Sequence, residues 1–368
     1  MSAIPWWGDL VVLALSLLLS LVLTPLALSV ALRFHLLDHP GPAKSHSAAV
    51  PYLGGAAIVV SFAAIVLVAV GVHPPPTGVP QLVAFLGLGV GLAVVGLIDD
   101  IRRGLSPWLR VLLEAAAGVV IWRLGDSAHV AGLPGWLNAF LTVLWIVGVT
   151  NAFNLLDNMD GLSSGIATLT ALGIFGIAFL QHRYLVGALA IALAGCACGF
   201  LWHNFHPARI YMGDAGSLFL GFVLSVLLLK LRAQAHTRVP IAVIIALAAV
   251  ALFDTTLVSV SRLTHGRSPF LGGKDHTSHR LIKLGLSVRQ AVSLIYGVTA
   301  LLDGASIVMA QLGPAVRIAG IVGIAGTGAL AAVLLLRIAV YENAAMSTGS
   351  CYGVARETSS SRSKPRSS

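Results

Sequence analysis

Two adjacent carboxylates close one of the apolar segments of this 368-residue chain, Gly96-Leu-Ile-Asp-Asp100. A helix C-terminus already carries partial negative charge, so two aspartates there need a cation or a mobile proton to compensate them. A carboxylate beside another can also have a raised pKa and act as a base. The alternative is a helix end that is only solvated by charge. We expect Asp99 and Asp100 to be catalytic.

The densest group of oxygen ligands lies in residues 151–160, which read Asn-Ala-Phe-Asn-Leu-Leu-Asp-Asn-Met-Asp. Carboxylate and amide oxygens suit Mg²⁺, and the same groups can bind a nucleobase edge or sugar hydroxyls. The spacing is not that of a calcium loop. A helix cap followed by a turn is the alternative. We expect Asn151, Asp157 and Asp160 to bind substrate.

A third acidic position, Asp214, stands between glycines in Tyr211-Met-Gly-Asp-Ala-Gly-Ser217, at the start of an apolar run. A helix N-terminus there presents free N–H groups to anions such as phosphate. A simple aspartate cap is the alternative. The nucleotide-binding pattern GxxxxGK[ST] is absent, so this is not the phosphate loop of an NTPase.

Basic residues and histidines gather in Gly272-Gly-Lys-Asp-His-Thr-Ser-His-Arg280, here called the histidine loop. His276, His279 and Arg280 suit a pyrophosphate. A transition-metal site would need a third soft ligand, which is not nearby. Lys44 could meet an anionic head group, although a plain membrane-anchoring lysine explains it equally well.

The elements that carry these motifs are predicted to lie in a membrane. The chain is 57% hydrophobic and 10% charged, with a mean hydropathy of +0.91, and a bilayer accommodates that apolar excess. We predict an all-α polytopic membrane protein with about eleven transmembrane helices. The apolar runs are approximately 10–32, 53–72, 81–98, 108–122, 133–150, 163–180, 185–202, 216–231, 239–261, 289–311 and 316–340. The run 108–122, which is short and contains Glu114, is the weakest.

The distribution of cations predicts the topology. No Lys or Arg precedes the first run, and the run is too long for the apolar core of a signal peptide, so we expect it not to be a cleavable signal. With the N-terminus outside and the C-terminus cytoplasmic, all but six of the 23 Lys and Arg residues fall inside, in agreement with the positive-inside rule. We predict one membrane domain over residues 1–346 and a disordered cytoplasmic tail over 347–368. No basic patch interleaved with aromatic residues exists, so we expect no nucleic-acid partner.

The position of the acids favours an enzyme. Seven of the 14 Asp and Glu residues lie in or beside the inside loops, whereas transporters concentrate ionisable groups at the membrane midplane. An ion-coupled transporter and a structural membrane protein are the alternatives. Only Glu114, Asp254 and Asp303 lie well within spans. Asp254 is expected to pair with Arg262, and the other two have no predicted role.

In order and in alternating loops, these motifs resemble those of the polyprenyl-phosphate N-acetylhexosamine-1-phosphate transferases. The resemblance extends from about Asp38 to Arg289. It implies a membrane enzyme that moves a sugar-1-phosphate from a UDP-sugar, most closely UDP-GlcNAc, onto polyprenyl phosphate and releases UMP. It also implies a site on the cytoplasmic face of the plasma membrane, as the first membrane step of cell-wall or surface-glycan synthesis.

The resemblance also implies roles for individual residues. Asp99 and Asp100 match the paired aspartates, one of which is proposed to deprotonate the lipid phosphate; a covalent aspartyl-phosphate route would use the same pair. Asn154 and Asp214 match ligands of Mg²⁺, with Mn²⁺ as the alternative metal. Asp160 matches the position that faces the uracil. Lys44, Arg110, His276 and His279 match groups near the phosphates or in the histidine motif.

The chain departs from many relatives at Ser278, where they carry histidine. The three consecutive histidines of the phospho-MurNAc-pentapeptide transferases are absent, which places that alternative substrate in question and leaves the effect of Ser278 on sugar preference open. A homodimer is an open alternative to a monomer.

Overall fold

The computed structural model describes residues 6–39, 49–75, 77–102, 104–130, 132–232, 239–269 and 272–341. These residues form thirteen helices and one small antiparallel sheet. The helices are α1 (Trp6–Arg33), α2 (Gly54–Val72), α3 (Val79–Arg102), α4 (Pro107–Arg123), α5 (Gly135–Leu156), α6 (Leu162–Leu180), α7 (Tyr184–Asn204), α8 (Gly213–Arg232), α9 (Ile241–Leu247), α10 (Ala249–Thr264), α11 (Thr277–Lys283), α12 (Val288–Gln311) and α13 (Pro314–Leu336). The strands are β1 (Leu37–Asp38) and β2 (Val50–Pro51).

The nearly all-helical architecture and the multi-pass membrane character agree with the prediction. Within the described residues, nine helices are long and apolar enough to cross a membrane, or ten if one bent pair is a single span. Two predicted runs behave differently from the rest. Helix α4 has only 17 residues, fewer than the roughly 20 that a span needs. The run 239–261 is broken between α9 and α10, whose axes differ by 74°. The number eleven and the orientation of the termini therefore stay predictions.

Helix α8 forms the centre of the bundle. In its most apolar stretch 89% of the residues are buried, compared with 0% in α13, which lies at the outside. Phe219 and Phe222 of α8 pack on Phe62 of α2 and Phe85 of α3, with ring centroids 5.6 and 6.1 Å apart. A Cβ on Gly55 of α2 would collide with the α8 backbone at Gly216, so small residues allow the close helix approach that membrane bundles use.

Short strands join the loops at one end of this bundle. Leu37 pairs with Pro51 and Asp38 pairs with Val50 in antiparallel register. Tyr52 then forms a parallel bridge to Tyr211, directly before α8. The segment after α1 is thereby fixed beside the N-terminus of α8, where the sequence places Asp214.

Cations at the opposite end of the bundle are engaged with the backbone. Arg183 donates to the carbonyl of Leu231, and Arg232 donates to the carbonyls of Ala128 and His129 at 2.5 and 2.9 Å. Leu231 lies in the last turn of α8, where carbonyls have no intrahelical partner and a nearby cation is favourable. These residues belong to the six cations that the topology prediction places outside, and their structural engagement accounts for them there.

Candidate active site

A cavity of about 670 Å³ opens at the end of the bundle where α8 begins. The structure brings together on its walls seven residues from four separate segments, six of them predicted site residues. These are Asp100, Asn154, Asp157, Asn158, Asp160, Asp214 and His279. Asn158 is the one among them that the sequence analysis did not single out. The convergence of these loops on one cavity agrees with the expectation of a single site.

Arg110 connects the carboxylates of two helices at this end of the bundle. Its Nη1 lies 2.8 Å from Asp99 Oδ2 and 2.7 Å from Asp214 Oδ2. The other oxygen of Asp99 accepts from the backbone N–H of Leu105. Asp99 is 6% exposed. It is thus held between a guanidinium and a backbone amide, and it acts on the cavity mainly through Arg110.

Asp100 faces the cavity and binds the N-terminus of α8. Its two carboxylate oxygens accept from the backbone N–H groups of Asp214 and Ala215 at 3.1 and 3.4 Å. The turn before them contains Gly213 with φ +69°, a left-handed conformation that glycine adopts without steric cost. A Cβ on Gly213 would also contact the Asp100 carboxylate. The paired aspartates therefore diverge, with Asp100 on the α8 N-terminus and Asp99 on Arg110.

Asp214 is the residue on which these contacts converge. Its Oδ1 accepts from Asn154 Nδ2 at 2.8 Å, while its Oδ2 accepts from Arg110. The Asn154 amide nitrogen also donates to the Ser217 hydroxyl at 2.9 Å. Because both donor contacts use Nδ2, the amide oxygen of Asn154 is left to accept a hydrogen bond or to bind a cation.

The loop between α5 and α6 supplies two further acids. Asp160 Oδ2 accepts from His206 Nδ1 at 2.7 Å and from the backbone N–H of Ala208 at 3.0 Å. Asp157 lines the cavity. Burial raises its pKa to about 8, reinforced by the negative charges of Asp214, Asp100 and Asp160. Burial therefore favours the protonated form of Asp157, and the neighbouring acids reinforce that effect.

The histidine loop contributes His279 to the cavity wall and keeps His276 behind it. His276 is 3% exposed, and its Nδ1 donates to Asp254 Oδ2 at 2.8 Å. The other oxygen of Asp254 accepts from the backbone N–H of Thr277 at 2.7 Å. Burial, followed by the charge on His276, lowers the pKa of His279 to about 4, so His279 is neutral at physiological pH.

Asp254 and Arg262 do not pair, in contrast to the prediction. Arg262 instead forms a two-pronged ion pair with Asp275, with both N–O distances at 2.8 Å. A planar guanidinium matches a carboxylate in this way. Asp275 lies in the loop next to His276, so it can reach Arg262 while the histidine takes Asp254.

Arg280 does not lie in the cavity wall and serves a structural contact. Its side chain is 0% exposed, and its nitrogens donate to the carbonyls of Asp275, Leu335 and Ile338 at 2.9, 2.7 and 3.1 Å. It joins the histidine loop to the end of α13. This placement does not fit the expected role in substrate binding.

One other predicted residue, Asn151, stands apart from the cavity. Asn151 donates to the buried carboxylate of Glu114 on α4, which gives Glu114 a partner and places Asn151 behind the first layer of the site. Lys44 lies outside the described residues.

The donor set of the cavity fits a hard divalent cation. Asp100, Asp157 and Asp214 offer carboxylate oxygens and Asn154 an amide oxygen, which are the ligands of Mg²⁺ and Mn²⁺. Within the described segments, no three His, Cys, Asp or Glu side chains form a ready-made metal cage. Mg²⁺ usually binds through one or two carboxylates, with water and substrate phosphates completing the shell. A bound cation would favour the ionised form of Asp157, against the burial and the neighbouring negative charges that raise its pKa.

Comparison with known proteins decides the family. The glycosyl transferase family 4 profile matches residues 82–232, which hold Asp99 through Asp214. A probable undecaprenyl-phosphate N-acetylglucosaminyl 1-phosphate transferase of Bacillus subtilis is 34% identical over 292 residues, covering 76% of this chain and 79% of the relative. The chain belongs to glycosyl transferase family 4.

Other members of the family match over shorter or similar lengths. A decaprenyl-phosphate N-acetylglucosaminephosphotransferase of Mycolicibacterium smegmatis is 32% identical over 301 residues, 72% of this chain and 73% of the relative. A phospho-N-acetylmuramoyl-pentapeptide-transferase of Streptococcus mutans is 31% identical over 247 residues, 59% of this chain and 72% of the relative. The resemblance stated from the motifs is thus confirmed at the level of the family.

Several site residues escaped the sequence analysis. Tyr52, His206 and Tyr211 line the cavity, while Asp254 and Glu114 accept from His276 and Asn151 behind its wall. Tyr211 begins the motif that holds Asp214, and its bridge to Tyr52 is a long-range contact that spacing does not reveal. His206 follows a helix end without a distinctive motif, so no sequence signal marked it.

Proposed function

We propose that this protein transfers N-acetylglucosamine-1-phosphate from UDP-GlcNAc to undecaprenyl or decaprenyl phosphate and releases UMP, with Mg²⁺ as cofactor. The names of the Bacillus and Mycolicibacterium relatives support the sugar and the lipid acceptor. The observation that carries the proposal is the position of Asp214, which meets Arg110, Asn154 and Asp100 on one cavity.

The two adjacent aspartates take different roles in this proposal. Asp100 lines the cavity, so it is the base that accepts the proton of the lipid phosphate. Asp99 is held by Arg110 and the Leu105 N–H, so it orients the guanidinium toward the phosphates. A general base must lie within hydrogen-bonding distance of the proton that it removes. Of the two adjacent aspartates, only Asp100 lies in the cavity wall.

The transfer balances without a further reactant. The deprotonated oxygen of the lipid phosphate forms a bond to the phosphorus that carries the sugar, and the bond from that phosphorus to the bridging oxygen of the pyrophosphate breaks. UMP leaves with that oxygen. Arg110, together with the N–H groups at the start of α8, stabilises charge on the phosphoryl oxygens. A bound Mg²⁺, held by Asp214 and Asn154, supplies neutralisation of the pyrophosphate charge. A covalent route through Asp100 would give the same products.

The cavity is proposed to open toward the cytoplasm. The loops that form it carry most of the cations of the chain, whereas the opposite end uses Arg183, Lys230 and Arg232 in structural contacts. Positive loops stay on the cytoplasmic side of a membrane. The site therefore faces the compartment that holds nucleotide sugars.

The direct test is UMP release by the purified full-length chain in detergent. UDP-GlcNAc and undecaprenyl phosphate are supplied with 10-fold steps of Mg²⁺ or with EDTA, and UMP is separated by chromatography. We expect UMP only when lipid, nucleotide sugar and metal are all present, and at least a 100-fold lower rate in Asp214→Asn, about 2.7 kcal/mol of lost transition-state stabilisation.

The matched control is Asp126→Asn. Asp126 pairs with Lys230 at 2.6 Å. Lys230 lies near the end of α8, whereas Asp214 lies at its start. With a helical rise of roughly 1.5 Å per residue, the Asp126 pair is therefore far from the cavity. The control should keep its rate. Equal UMP release with and without metal would contradict the assignment, and turnover of UDP-MurNAc-pentapeptide in place of UDP-GlcNAc would shift it to the alternative transferase.

A further inference from the structure

The histidine loop and the loop between α5 and α6 are joined by one short hydrogen bond. The Ser278 hydroxyl donates to Asn158 Oδ1 at 2.6 Å. The partners are distant in sequence, so the bond links two separate walls of the site. Ser278 is 1% exposed, which means that the hydroxyl reaches Asn158 from behind the wall and does not itself meet substrate.

This bond decides which way the Asn158 amide faces. An amide can present either its oxygen or its nitrogen, and its hydrogen-bond partners fix the choice. Here the oxygen takes the Ser278 proton, and one N–H donates to the carbonyl of Leu155 at 2.9 Å. The amide carries a second N–H, which has no partner among the described residues, and Asn158 lines the cavity.

The Ser278 oxygen is also near the neighbouring histidine. His279 Nδ1 lies 3.4 Å from it, at the long limit of a hydrogen bond. Because the serine proton is engaged with Asn158, the serine oxygen can only accept from that nitrogen. The two cavity-lining residues, Asn158 and His279, are therefore oriented by one hydroxyl that carries no charge.

We propose that Ser278 is a specificity-determining positioning residue, which holds Asn158 so that its free N–H binds an acceptor oxygen of the nucleotide sugar. The inference rests on the proposed function and deepens it. The contact is neutral, so it favours an uncharged acceptor oxygen and gives no added attraction to a carboxylate on the substrate. Ser278 acts through Asn158 and is not a catalytic residue.

The test is a double-variant cycle on the steady-state kinetics of the full-length enzyme with UDP-GlcNAc. Ser278→Ala and Asn158→Ala are each expected to raise KM by about three- to tenfold, the range for one neutral hydrogen bond, with kcat within about twofold of the parent. Since both changes remove the same contact, the double variant should rise no further than Asn158→Ala alone.

A matched control separates this effect from the loss of any buried hydroxyl. Ser225 is buried in α8 and its hydroxyl donates to the carbonyl of Phe222 at 2.7 Å. Ser225→Ala should leave KM unchanged. Thermal unfolding of every variant in the same detergent identifies any variant that has failed to fold. Ser278→Thr keeps the hydroxyl and should keep the KM of the parent enzyme.

A UMP arm identifies the acceptor oxygen. If inhibition by UMP weakens in Ser278→Ala by the same factor as KM, the oxygen belongs to the uridine part of the nucleotide sugar. If UMP inhibition is unchanged, it belongs to the sugar. Additive effects in the cycle, or a fall in kcat with KM unchanged, would overturn the inference. A parent enzyme that releases no UMP from UDP-GlcNAc would instead refute the proposed function, so the two failures are distinct.

Discussion

Asn151 on α5 donates its side-chain amide to the buried carboxylate of Glu114 on α4. Glu114 stands one helical turn after Arg110, and Asn151 stands one turn before Asn154. Residues three or four apart share a helix face. The contact therefore joins two helices directly behind the side chains that hold Asp214.

This relationship predicts that Glu114 fixes the position of Arg110. Glu114→Gln keeps an oxygen that accepts from Asn151, so activity should stay within about threefold of the parent. Glu114→Leu leaves the amide without that acceptor and should lower the free energy of unfolding by about 1–3 kcal/mol. Unfolding in mixed detergent measures the change. Because the two side chains are in contact, the double variant Glu114→Leu with Asn151→Leu should lose less free energy of unfolding than the sum of the two single losses. Strictly additive losses would show that the contact is unimportant.

The bridge between Asp99 and Asp214 predicts different outcomes for two substitutions of Arg110. Arg110→Met removes the shared cation, and the initial rate of UMP release should fall by at least about 100-fold. Arg110→Lys keeps the charge but loses the planar fork, so a fall of about tenfold is expected. Arg102 is an exposed cation at the end of α3. Arg102→Met should stay near the parent rate, whereas an equal fall there would indicate a general effect of net charge.

The raised pKa of Asp157 predicts a pH-dependent stability. The folded pKa is about 8, whereas an unfolded aspartate ionises near 3.9. Between these values the folded chain holds a proton that the unfolded chain has lost, so stability falls as pH rises through this window. Thermal unfolding in EDTA at pH 5.5 and pH 8.5 should show a larger drop for the parent than for Asp157→Asn. A drop of the same size in both proteins would contradict the prediction.

The placement of Arg280 predicts a loss of stability rather than of substrate affinity. Arg280→Met leaves the carbonyls at Leu335 and Ile338 without their donor and should lower the free energy of unfolding by at least about 2 kcal/mol. The KM of the protein that remains folded should be unchanged. Lys283 lies on the same short helix and donates to Ala339 at 2.8 Å from an exposed position, so Lys283→Met is the matched control and should cost little. A KM effect confined to Arg280→Met would restore the substrate-binding role.

Hydropathy predicted the helices well because a bilayer imposes long apolar runs regardless of tertiary contacts. The predicted runs and the observed helices agree closely at α2 and α6. The break near Ala248 was not predicted, since an apolar run has the same composition whether it is straight or bent. The sequence likewise singled out Asp100 and Asp214 through the residues beside them, and both line the cavity.

Pairings between distant segments were beyond the sequence. Asp254 lies nearer in the chain to Arg262 than to His276. It nevertheless accepts a hydrogen bond from the histidine, because Arg262 is paired with Asp275. Competition among partners of one charged group depends on three-dimensional order. For the same reason, Arg280 resembled a phosphate ligand in the sequence, whereas in the structure it donates to carbonyls at the end of α13.

The burial of α8 has a consequence for how the enzyme responds to its membrane. Helices that contact lipid tilt or shift when the thickness of the bilayer changes. Asp214 stands on a helix that is surrounded by protein, while α13 faces outward along its whole length. Changes in lipid composition would therefore be absorbed at the periphery, and the spacing of the reacting groups would stay constant as the cell alters its membrane.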